Sequence, residues 1–102
     1  MKIGFKKHTP EESVAALEGN LSGRKLGSMV SFELDSKKLT VIISKLGKSK
    51  LNFSIEKSDS ETFFTLDSEK IALAHRALKD SVIEKLEKVI KDSGGSIIEK
   101  YS

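Results

Sequence analysis

Residues 30–66 read VSFELDSKKLTVIISKLGKSKLNFSIEKSDSETFFTL, and the fold follows from this stretch. Apolar residues alternate with polar ones in four runs: Val30, Phe32 and Leu34; Leu39, Val41 and Ile43; Leu51, Phe53 and Ile55; then Phe64 and Leu66. Alternation of this kind marks a strand with one buried face. The connections DSKK, GKSK and SDS are short, so each neighbouring pair closes as a hairpin and the set forms an antiparallel meander. The opposite face shows Met29, Ser31, Glu33, Thr40, Ile42, Ser44, Asn52, Ser54, Glu56, Phe63 and Thr65. It is mostly polar, so only one face of the sheet needs cover.

Upstream, Lys2 to His8 sets Ile3 and Phe5 on one side of an extended segment. Thr9-Pro10-Glu11-Glu12 then starts a helix: Thr9 caps the Glu12 amide, Glu12 reaches back, and Pro10 occupies the first helical position. Val14, Leu17 and Leu21 share a side, and Gly19 and Asn20 end the helix near Glu18. The glycine-containing stretch GNLSGRKLGS at 19–28 reads as a loop.

Downstream, Asp67 or Ser68 can cap a second helix along which Ile71, Ala74, Leu78, Val82, Leu86 and Val89 recur at helical spacing. Unbroken, it spans about 24 residues and roughly 36 Å. Ser81-x-x-Glu84 offers a second capping box, and with it a break near Asp80. Gly94-Gly95 stops the helix, and Ile97, Ile98 and Tyr101 suit an edge strand. The expectation is one α+β domain over residues 1–102. It has an antiparallel meander sheet of four to five strands, with an N-terminal helix and a long C-terminal helix packed on one face.

Ile83 and Ile90 widen the apolar stripe of the C-terminal helix beyond one narrow contact. In the unbroken helix a homodimer contact through Ile83, Leu86 and Ile90 accounts for that width. The 102-residue chain has no cysteine and no apolar run long enough for a secretory leader or a membrane span. A soluble, cytoplasmic protein without a disulfide framework or thiolate site is expected, and no membrane partner.

Its formal charge of +3 is unevenly spread: residues 22–57 hold eight basic residues against three acidic ones. In a meander, alternate turns share an end. That places Arg24, Lys25, Lys45, Lys48 and Lys50 together beside the start of the C-terminal helix, a candidate anion site. Nucleic acid is the sharpest form of this reading, although only Phe63 offers an aromatic platform on the open face.

Catalytic and metal motifs are missing. His8 and His75 stand apart without ligand spacing, no Gly-x-Ser-x-Gly elbow occurs, and Gly19 to Leu26 departs from a phosphate-binding loop at the lysine and the hydroxyl positions. No cofactor or metal is expected. The sequence therefore points to a non-enzymatic interaction module, self-associating through its last helix and meeting a protein or anionic partner. A cavity containing His75 or Tyr101 would instead bring a small-ligand carrier or an enzyme into play.

Overall fold

The computed structural model describes residues 1–6 and 8–101; Lys7, within the extended segment read from the sequence, lies outside the described residues. The elements are β1 (Lys2–Lys6), α1 (Pro10–Leu21), β2 (Val30–Leu34), β3 (Lys38–Ser44), β4 (Lys48–Lys57), β5 (Glu61–Lys70), α2 (Lys79–Asp92) and β6 (Gly95–Glu99). Short 3₁₀ turns lie at Lys25–Ser28 and Leu73–His75. The fold is α+β, with one open antiparallel sheet ordered β2-β3-β4-β5-β1-β6. Four to five strands become six because both terminal segments join the meander: β1 pairs with β5 on one side and β6 on the other.

The first helix starts as its sequence dictates. Thr9 Oγ1 accepts from the Glu12 N–H and the Glu12 carboxylate accepts from the Thr9 N–H, each at 3.1 Å. It runs on through Gly19 and Asn20 to Leu21, and Asn20 Nδ2 donates to the Ala16 carbonyl at 3.0 Å.

Asp67 and Ser68 do not open a helix. β4 and β5 are ten residues each, and their pairing extends from Lys57 opposite Thr62 to Lys50 opposite Lys70, with a bulge beside Asn52 and Phe53. The long β4 edge presents backbone groups that need partners. Continuing β5 satisfies them, and that outweighs a favourable cap. The unbroken helix is thus corrected to a 14-residue α2 beginning at Lys79, close to the break at Asp80. Its first turn follows Leu78, not a Ser81 capping box. Gly94, at φ +90°, ends α2 in the left-handed conformation that glycine adopts without strain.

Both helices cover one sheet face. Val14, Leu17 and Leu21 of α1 and Ile83, Leu86, Val89 and Ile90 of α2 join Ile3, Phe5, Leu39, Val41, Ile43, Leu51, Phe53 and Phe64 in a single core. Phe5 and Phe64 meet edge to face with ring centroids 6.0 Å apart. Gly95 permits a close approach here, since a Cβ on it would lie 2.8 Å from both Ile90 Cγ2 and Phe5 Cζ.

The width of the α2 stripe therefore has an internal use. Ile83, Leu86 and Ile90 are 7%, 2% and 2% exposed, leaving almost no surface for the self-contact assigned to them. With part of the expected helix drawn into β5, the remaining turns must cover the core from more than one side.

Candidate binding cavity

Between Lys70 and Lys79 the chain crosses from the edge of β5 to α2 with little regular structure. His75 holds it in place. Its Nε2 bonds to the Lys45 carbonyl, and its Nδ1 lies 2.5 Å from Ser49 Oγ. A carbonyl only accepts, so Nε2 carries a proton; in the neutral ring Nδ1 then accepts from the Ser49 hydroxyl. Ser49 Oγ in turn accepts the Ala72 N–H at 2.8 Å. One serine and one histidine thus fasten the 71–78 crossing to the start of β4 and to the β3–β4 turn.

Ser49 is 0% exposed and its hydroxyl is held between His75 and the Ala72 amide, yet Ser49 and His75 both belong to the lining of the adjoining cavity, so a cavity containing His75 is present. The pair has the spacing of a serine nucleophile with its base, and the same bonds pin the crossing to the sheet.

The pinned crossing leaves a space beneath it. A cavity of about 220 Å³ is lined by apolar side chains from each side: Leu26 and Met29 near the first 3₁₀ turn, Ile43 and Leu51 from the sheet, Ile71, Ala74 and Leu78 from the crossing, and Val82 and Ile83 from α2. Met29, expected on the open sheet face, lies here instead. Lys25, Lys45, Lys79 and Lys85 complete the lining with Leu46, Ser81, Ser49 and His75, and among the described residues no carboxylate contributes. Lysine stems can border apolar surface while their ammonium groups stay in water, which gives the opening a positive rim.

Lys79 is engaged within the fold. Its ammonium lies 3.6 Å from Glu69 and 4.4 Å from the centroid of Tyr101. The Tyr101 hydroxyl donates to Glu69. Tyr101 contact and the Glu69 charge raise the Lys79 pKa, while burial and the bond to Glu69 push the Tyr101 phenol up. The other ion pair among the described residues joins Arg24 to Asp92 at 2.8 Å. Lys25, Lys45 and Lys85 take part in neither pair.

The five-residue basic cluster expected at one end of the sheet is divided by the fold. Lys25 and Lys45 reach the cavity, together with Lys79 and Lys85, which sequence reasoning had not grouped with them. Arg24 turns to Asp92. Lys48 and Lys50 alternate with the inward-facing Ser49 and Leu51 and so project from the uncovered face, where Lys50 stands opposite Lys70. Asp67 and Ser68, expected to cap a helix beside the cluster, lie in a strand.

Among the described residues no group of three or more His, Cys, Asp and Glu side chains could hold a metal ion, and no helix is long and apolar enough to cross a membrane. No protein-family model, curated protein or solved structure matches the chain. Function has to be argued from the cavity itself.

Proposed function

We propose that this chain is a binding module whose cavity receives an apolar group carried by an anionic partner. The supporting observation is an apolar cavity with lysines and no carboxylates among its lining residues. Its size sets the scale of the occupant. At about 220 Å³ it is smaller than the roughly 300–1,000 Å³ of sites that enclose drug-sized molecules. It exceeds the roughly 150 Å³ that accommodates a benzene ring. One aromatic ring or one branched aliphatic group fits this range.

Burying such a group contributes about 1.5–3 kcal/mol. Each exposed lysine facing an anion adds about 0–1 kcal/mol. Apolar contact thus supplies most of the affinity, and charge selects the partner.

Benzenesulfonate, one aromatic ring bearing a fixed anion, tests this reading. Its ligand-observed NMR signals should broaden on titration with the protein, and Ala74→Trp, which places an indole at the cavity lining, should weaken binding by about fivefold or more, a loss of about 1 kcal/mol. Equal binding by the wild-type and variant proteins would show that the probe sits elsewhere and remove the cavity from consideration.

A further inference from the structure

Four large apolar side chains are exposed among the described residues: Leu46, Leu73, Leu78 and Ile98. Leu46 and Leu78 line the cavity, and Leu73 opens the turn whose next residues, Ala74 and His75, line it too. Leu46 and Leu73 belong to the same corner, because a Cβ on Gly47 would lie only 3.1 Å from Ala72 Cβ. They are 82% and 80% exposed. Leu46 also has φ +57°, a left-handed backbone that a leucine adopts at a cost. Its side chain recovers little of that cost inside the fold.

A group confined to a 220 Å³ cavity ends at the rim, touches only the inner side of Leu46, and leaves Leu73 in water. Resting on the cavity reading above, we infer that the occupant is an apolar side chain of an acidic protein segment. The anchor enters the cavity, adjoining residues of the segment cover Leu46 and Leu73, and its carboxylates meet Lys25, Lys45 and Lys85. An apolar anchor within a polar, charge-matched rim is the arrangement that concentrates affinity in protein interfaces. Charge complementarity selects this partner. A second copy applied through the same face would oppose these lysines to their own counterparts.

The test uses fluorescence anisotropy of a labelled amphipathic peptide with leucine on one helical face and glutamate on the other, and of a twin with lysine in place of each glutamate. The glutamate peptide should bind about tenfold or more tightly than the twin. Leu73→Ser should weaken it by about fivefold or more, yet leave benzenesulfonate binding within about twofold, because Leu73 is outside the cavity lining. Equal affinity for the two peptides, or no effect of Leu73→Ser, overturns the inference.

Two further arms identify replacements. Co-sedimentation with phosphatidylglycerol vesicles that needs Leu73, without peptide binding, overturns the peptide in favour of a lipid surface. A dimer at high concentration that Leu73→Ser returns to monomer overturns it in favour of a second copy. Absence of sulfonate-probe binding to the wild-type protein identifies failure of the underlying cavity reading instead.

Discussion

At His75, two ring nitrogens decide the position of an entire crossing. Removing the ring strands the Lys45 carbonyl and leaves the Ser49 hydroxyl with one partner fewer, in a place where Ser49 is fully buried. His75→Ala should therefore lower stability by about 1–3 kcal/mol in urea titration. Because Ser49 and His75 share one network, the double alanine variant should lose less than the sum of the single losses. Additive losses would show that the two residues act separately.

Asp35 provides a second residue-scale device. Its carboxylate accepts from the Lys37 and Lys38 backbone N–H groups at 2.8 and 2.9 Å, and these bonds hold its pKa below the ordinary value. The folded value is the lower one, so the stabilisation is fully present above about pH 4 and declines as pH falls through the depressed value. The stability difference between wild type and Asp35→Ala should shrink when denaturation is measured at successively lower pH. A constant difference from neutral to strongly acidic solution would dissociate the turn from the charge of Asp35.

Among the elements, α2 shows how an apolar stripe can be misread when its neighbours are unknown. Leu86 is 2% exposed and belongs to the common core. Leu86→Ala should cost about 2–5 kcal/mol in denaturant unfolding. Light scattering on the folded variant should give the same molecular mass as the wild type; a change would return this helix face to a role between copies.

The local signals of secondary structure were legible in the sequence: alternation in β2 to β5, the Thr9–Glu12 box of α1 and the glycine stop after α2. The course of 67–78 was not. Asp67 and Ser68 are suitable helix caps, and only the length of the opposing β4 strand tells that this segment stays extended. Local preference yields here to pairing with residues distant along the chain.

At the scale of the whole molecule, the same limit explains the candidate site. Ser49 and His75 are 26 residues apart, and neither carries a recognisable motif. The lysines of the rim come from the first 3₁₀ turn, the β3–β4 turn and α2, so charge counted along the sequence reached Lys25 and Lys45 but not Lys79 and Lys85. One clue was present in the text of the chain. Leu46 interrupts a connection otherwise made of serine, lysine and glycine, where an apolar side chain has no evident inward role.

The placement of β1 between β5 and β6 has a bearing on biosynthesis. A ribosome delivers β1 well before β6, so one side of an interior strand waits for its partner until residues 95–99 have emerged. Until then Ile3 and Phe5 belong to an exposed margin, open to pairing with another nascent chain. Stopping translation before Gly95 should therefore yield aggregated polypeptide in sedimentation assays, whereas a soluble truncated product with native circular dichroism would show that the first five strands suffice.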